Sequence, residues 1–249
     1  MDENIKKLLD IANGEIGYLE KATNNDLDSK QGNAGSANYT KYARDCFPEL
    51  QGLAWCCMFV WWCFEKAFGK IMARNLIGEK TAKCSVMKER MLANGCVKVN
   101  KPNAGDIVFF NSGSGINHIG IVSDAKATTF STIEGNTSRG TDEVVPNGGG
   151  VFSRAYKYDN YRIDSFIRPL YSLLNHSTEN IQVDKVGEIN ATNVNIRSGA
   201  GINYSVVGME SKPTKVEILG IVNGWYKIKY SGDIAYVLSR YVNIIDNSV

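Results

Sequence analysis

The sequence predicts an α+β fold followed by a smaller all-β unit, and three observations carry that expectation. The first ninety-odd residues hold apolar positions at helical spacing, including a run from 54 to 64, Ala-Trp-Cys-Cys-Met-Phe-Val-Trp-Trp-Cys-Phe, that is apolar on most sides. From Val97 the pattern changes to short β-rich runs separated by Gly, Asn, Pro and Ser, and helices before strands favour an antiparallel sheet over a parallel α/β one. Beyond a polar stretch without period, from Leu173 to Asp184, strands resume with turn pairs at Ser198-Gly199, Asn223-Gly224 and Ser231-Gly232. That spacing predicts a small all-β barrel. The boundaries expected are 1–171 for the first unit, 172–186 for a linker and 187–249 for the second.

Each element has its own justification. Ile5, Leu8, Leu9, Ala12 and Ile16 recur at helical intervals, which predicts an amphipathic helix over residues 3 to 20. Residues 23 to 37, rich in Asn, Asp, Ser and Gly, read as a surface loop, and Asn38 is the expected cap of a short helix through Cys46. Asp26 and Asp28 lack the further ligands and the turn glycine of an EF-hand, so that loop is read as solvated surface. Gly52 supplies a turn before the central helix and leaves Cys56 in its first turn, where free N–H groups and the helix dipole favour a thiolate. A further helix is expected from Cys84 to Leu92, stopped by Asn94-Gly95. Strands follow around 97–99, 107–110, 119–122, 130–133, 150–156 and 165–168.

Composition narrows the function classes. The 249 residues are 43% hydrophobic and carry a formal net charge of +2 with both signs interspersed. No basic run extends beyond Lys6-Lys7, which excludes nucleic acid as the expected partner. The N-terminus lacks the apolar core of a signal peptide and no later stretch is long enough to span a bilayer, so a soluble protein made in the cytoplasm is expected. The six cysteines, at 46, 56, 57, 63, 84 and 96, are read as thiols in a chain too rich in core residues to need disulfides. No C-x-x-C pair exists and there are only two histidines, so neither a metal nor a cofactor is expected.

Catalytic chemistry has few candidates. A helix-borne cysteine needs an imidazole to ionise near neutral pH, and helical period alone leaves Cys56 and Cys57 both open. His118 opens a stiff apolar strand, in Gly115-Ile116-Asn117-His118-Ile119-Gly120-Ile121-Val122, whereas His176 lies in the polar linker with nothing rigid to orient it. Glu134 and Asn136 stand two apart on an expected strand end, on one side of an extended chain, and either can accept from the ring.

Four blocks in order, Trp55-Cys56 through Cys63, Ala104-Gly105-Asp106-Ile107-Val108-Phe109-Phe110, Asn117-His118-Ile119-Gly120-Ile121-Val122 and Ile133-Glu134-Gly135-Asn136-Thr137, resemble the CHAP family of cysteine, histidine-dependent amidohydrolases/peptidases. The resemblance covers about residues 1 to 171 and implies a papain-like fold, with Cys56 as nucleophile, His118 as base, and Glu134 and Asn136 as orienting residues. Cys57 then stands where many relatives have a small residue. Segments 33–42 and 147–152 look like those of cell-wall-lytic members, and the calcium loop of some relatives has no counterpart. Gln51, just before the nucleophile, is the expected oxyanion donor. Val194-Asn195-Ile196-Arg197-Ser198-Gly199, Lys215–Leu219, Gly224-Trp225-Tyr226-Lys227-Ile228 and the 235–242 segment resemble a bacterial SH3 domain, with Tyr204, Trp225, Tyr226 and Tyr236 as its expected wall-contacting aromatics. Together they imply a cysteine-dependent peptidoglycan hydrolase like a phage endolysin, most simply an N-acetylmuramoyl-L-alanine amidase acting on Gram-positive-type walls. An endopeptidase, a bacterial autolysin and an inert wall-binding protein are the other readings.

Overall fold

The amphipathic repeat at the N-terminus folds as α1 (Glu3–Gly14), started by Asp2, whose carboxylate accepts from the Asn4 N–H at 2.8 Å. The computed structural model describes residues 2–174, 185–202, 204–222 and 224–245, in two units, Met1–Leu170 and Tyr171–Val249. Helix α1 stops six residues before its expected end. Gly17 takes φ +88°, and the chain then leaves helical geometry to pair Leu19 with Gly150 and Lys21 with Tyr39. Helix α2 (Lys41–Cys46) is capped by Thr40, whose hydroxyl accepts from the Ala43 N–H at 3.1 Å. Asn38, the expected cap, instead adopts φ 58° two residues earlier.

Helix α3 (Cys56–Phe68) buries every residue from Cys56 to Phe64, as its all-round apolarity requires. Each large side chain so buried stabilises the fold by about 1.5–3 kcal/mol before the entropy of ordering it is subtracted. Helix α4 (Lys70–Ile77) was not expected. Glycines 69 and 78, both at positive φ, bracket it, and its apolar face of Met72, Ala73, Leu76 and Ile77 spans only two turns. Helix α5 (Cys84–Ala93) ends as anticipated at Asn94 and Gly95.

Six strands complete the first unit: β1 (Val97–Val99), β2 (Ile107–Asn111), β3 (Ile116–Ala125), β4 (Thr129–Thr137), β5 (Gly150–Lys157) and β6 (Ile163–Arg168). They form an antiparallel sheet in the order β1-β6-β2-β3-β4-β5, and α3 packs against β3 and β4. Gly135 marks the contact: a Cβ there would lie 2.5 Å from Phe59 Cβ. Val108, Phe110, Val122, Phe130, Tyr156 and Phe166 gather into one buried cluster of the sheet.

The second unit begins with a 3-10 turn, Tyr171–Leu173, and holds β7 (Lys185–Ile189), β8 (Val194–Arg197), β9 (Val206–Glu210), β10 (Lys215–Val222), β11 (Trp225–Tyr230), β12 (Asp233–Leu238) and β13 (Val242–Ile245). The sheet order is β13-β7-β10-β11-β12-β8-β9. Ile189, Ile196, Ile218, Ile228, Val237 and Val242 share one buried cluster although their strands span most of that order, so the sheet curls around them. Among the described residues no pairing joins β13 to β9, and the sheet is therefore described as curled rather than as a closed barrel. Ser231 and Gly232, at φ 52° and 91°, form the two-residue hairpin turn that their sequence predicts. Most of the expected linker, with His176, and Asn223 of another expected turn lie outside the described residues. Among the described residues no helix is long and apolar enough to cross a membrane.

Candidate active site

An aromatic block places the start of α3. Trp55 stacks on Tyr42 with ring centroids 5.4 Å apart, and its indole N–H donates to Glu20 at 3.0 Å. Tyr42 in turn donates to Glu15 at 2.7 Å, so the segment before α2 holds the turn in which Cys56 sits. The sulfur of Cys56, 3% exposed, lies 3.5 Å from that of Cys84, the first residue of α5. Cys57 approaches Cys84 more closely, at 3.1 Å.

Strand β3 brings His118 to the same place, fully buried and stacked on Phe110 at 5.9 Å. Its Nε2 lies 2.8 Å from Glu134 Oε2 on the neighbouring β4. Three further groups fix that carboxylate. Thr132 donates to Oε1 at 2.5 Å, Tyr156 donates to Oε2 at 3.2 Å, and Arg154 Nε donates to the Tyr156 oxygen at 2.9 Å. Arg154 is itself held by the carbonyls of Ser138 and Glu143. Gly120 makes room for Glu134, because a Cβ there would stand 2.6 Å from Glu134 Cγ. A glycine inside the apolar run of β3 was the one sequence signal of this support; Thr132, Arg154 and Tyr156 gave none.

Electrostatics separate the two adjacent thiols. Hydrogen bonds from Cys57 foremost, then from Cys84, pull the Cys56 thiol well below its ordinary range against the opposing effect of burial, and His118 adds to the shift. The same Cys56 and Cys84 contacts, with burial, push Cys57 well above that range. Burial is the largest influence on His118 and opposes its charge, yet the Cys56 sulfur and the Glu134 carboxylate together raise it to about 9. The favoured state at neutral pH is therefore a Cys56 thiolate facing a His118 imidazolium. With Nε2 engaged by Glu134, Nδ1 is the buried ring nitrogen without a hydrogen-bond partner.

Two sequence expectations for this site need correction. Asn136 makes no hydrogen bond to the ring: it takes φ 57°, the β4–β5 register shifts between Glu134 and Thr137, and neither of its amide atoms finds a partner. Alternation along a strand fails across such a bulge. Gln51 is already engaged, its Oε1 accepting from Thr40 N and its Nε2 donating to Thr40 O and Asn24 Oδ1, each at 3.0 Å. It ties the 23–40 loop to the turn before α3 and has no free donor for an oxyanion.

A cleft of about 420 Å³ is lined by Phe47, Leu53, Ala54, Lys80, Lys83 and Arg90. Its size suits a small ligand or a peptide segment. A second, of about 270 Å³, is bordered by Glu20, Gly35 and residues 147–149.

In the second unit the four aromatics divide. Trp225 is 2% exposed and belongs to the core, which removes it from the wall-contacting set. Tyr204 is 45% exposed, its ring lying over Gly199 and its carbonyl accepting from Arg197 at 2.8 Å. Tyr226 and Tyr236 are half-buried.

Comparison with known proteins matches a CHAP domain at residues 49–136 and a bacterial SH3 domain at 192–243. A bacteriocin of Clostridium perfringens, BCN5, is 38% identical over 55 residues, covering 22% of this chain and 6% of the bacteriocin. The crystal structures of Ly7917 and of Ly7917 with the hydrolyzing product of MDP align over 96% of this chain and 97% of theirs, at 13% and 14% identity and a TM-score of 0.40. The stretch matched as CHAP contains Cys56, His118 and Glu134 together. The chain thus joins a CHAP domain, of the cysteine, histidine-dependent amidohydrolases/peptidases, to a bacterial SH3 domain.

Proposed function

We propose that this chain is a peptidoglycan hydrolase in which Cys56 is the nucleophile, His118 the general acid and base, and Glu134 the positioning residue of the ring. The observation that carries the reading is the Cys56–His118–Glu134 line itself, with a 2.8 Å Nε2–Oε2 contact at one end and a helix-borne sulfur at the other. The Cys56 thiolate attacks the carbonyl carbon of an amide, and His118 gives its proton to the departing amine. Water, deprotonated by the now neutral ring, then releases the acyl group from the thioester and restores the thiolate–imidazolium pair. Backbone N–H groups in the first turn of α3, including that of Cys56, are the donors this reading assigns to the developing oxyanion.

The coupling of a CHAP domain to a bacterial SH3 domain supports the cell wall as substrate, with Tyr204, Tyr226 and Tyr236 as wall contacts of the second unit. The bond assigned is that between muramic acid and L-alanine. The same proposal places synthesis in the cytoplasm and action on Gram-positive-type walls after release, in the manner of a phage endolysin.

The test is lysis of purified walls by the full chain. Cys56→Ala abolishes turbidity loss while circular dichroism stays unchanged, and Cys57→Ala retains it; the reverse result would overturn the assignment. Mass spectrometry of the digest reads the bond. Free L-alanine amino termini support amidase action, and new termini inside the stem peptide or cross-bridge establish an endopeptidase instead.

A further inference from the structure

Three of the six thiols converge on one point. The sulfurs of Cys56, Cys57 and Cys84 all lie within 4.8 Å of one another, at the first turns of α3 and α5. The remaining thiols are dispersed: Cys46 contacts Glu65, Cys96 contacts the Leu76 carbonyl, and Cys63 lies buried within α3. We propose that Cys56, Cys57 and Cys84 form a binding site for a thiophilic closed-shell metal ion, Zn²⁺ in the first instance, whose occupation silences the Cys56 nucleophile.

Geometry and ligand chemistry both favour this. Zinc–sulfur bonds of about 2.3 Å set the sulfurs about 3.8 Å apart in a tetrahedral arrangement. The observed separations of 3.5 and 3.1 Å need only a small outward rotation of the side chains to reach it. A disulfide, at about 2.05 Å, would require Cys84 to close on either partner by more than an ångström. All three sulfurs are buried, and binding of a metal displaces the thiol protons of Cys57 and Cys84. Soft sulfur donors select zinc, cadmium or cuprous ions over calcium and magnesium. His118 interacts with Cys56 but is not among the donors that lie within 4.8 Å of one another, so the fourth position falls to an exogenous ligand such as water. The cleft is lined by Ala54, two residues before Cys56, and by Lys83, the residue preceding Cys84. Linear spacing conceals the site, because Cys56 and Cys57 are consecutive and Cys84 arrives on another helix.

Silencing rests on the reading of Cys56 as nucleophile, because one sulfur cannot both coordinate an ion and attack a carbonyl; binding does not depend on it. The full chain is reduced, freed of metal and titrated with Co²⁺, then Zn²⁺. One equivalent of Co²⁺ is expected to give a sulfur-to-metal charge-transfer band that Zn²⁺ abolishes, and Zn²⁺ stops wall lysis until a chelator is added. Cys84→Ala weakens Zn²⁺ binding at least tenfold and, measured against its own lysis rate in chelator, relieves the inhibition. Cys63→Ala, a buried thiol outside the cluster, leaves the affinity unchanged. Absence of the band, equal zinc sensitivity in Cys84→Ala, or a metal-resistant Cys57–Cys84 disulfide in the purified chain would each overturn the proposal. Should Cys84→Ala not fold, Cys84→Ser and Cys57→Ser read the same loss. A chain that binds Zn²⁺ through these sulfurs but never lyses walls refutes the hydrolase and leaves the metal site standing.

Discussion

The distinction between Cys56 and Cys57 illustrates what a single position decides. Both are buried and adjacent, yet one sulfur receives hydrogen bonds and faces an imidazole while the other donates. A thiolate–imidazolium pair has a defined working window: its acid limb lies where Cys56 takes up a proton, well below the ordinary thiol range, and its alkaline limb where His118 loses one, near 9. Glu134→Gln removes a charge that raises the ring, so in metal-free enzyme the alkaline limb should move to lower pH. The same variant should lose on the order of a hundredfold in kcat. A pH–rate profile of wall lysis checks both, and an unchanged alkaline limb would exclude Glu134 as the partner of the ring. Cys56, His118 and Glu134 were legible in the sequence because each stands in a short local pattern. Asn136 was misplaced because its bulge depends on how β4 meets β5. The Cys84 sulfur was invisible for a related reason: only packing of α5 beside α3 brings it in.

At the scale of elements, the sheet does more than carry the histidine. β3 and β4 hold His118 and Glu134, while β5 supplies Arg154 and Tyr156 behind them. Two glycines fit this layer to its surroundings. Gly120→Ala would push against Glu134 Cγ, 2.6 Å from the new methyl group, and should lower activity far more than melting temperature. Gly135→Ala would strike Phe59 of α3 and should destabilise the first unit by about 1–3 kcal/mol. Thermal melts with lysis rates on both variants separate the two effects. The order of helices and strands was readable from period, since long amphipathic runs and β-rich runs differ over many residues. Helix α4 was not, because its apolar face is complete in two turns between two glycines, a run too short to stand out from its neighbours.

For the molecule as a whole, the aromatics of the second unit provide the sharpest contrast between core and surface. Trp225→Ala should destabilise that unit by about 3–5 kcal/mol, whereas Tyr204→Ala should leave its melting unchanged and weaken co-sedimentation with walls. Retention of full sedimentation by Tyr204→Ala would remove that face from the binding surface. The two-unit plan was legible because polar residues without period separate two differently patterned regions. The curl of the second sheet was legible only in outline, since strand order depends on pairings between distant segments. The aromatic block around Trp55 has a practical bearing on how far the first unit can be shortened. Glu15, Tyr18, Glu20 and Tyr42 all precede the stretch matched as CHAP, yet Glu20 accepts from the Trp55 indole and Tyr42 stacks on its ring. A minimal fragment cut at the edge of that stretch would strand an indole N–H and expose one side of α3, so a trimmed first unit should begin upstream of Glu15.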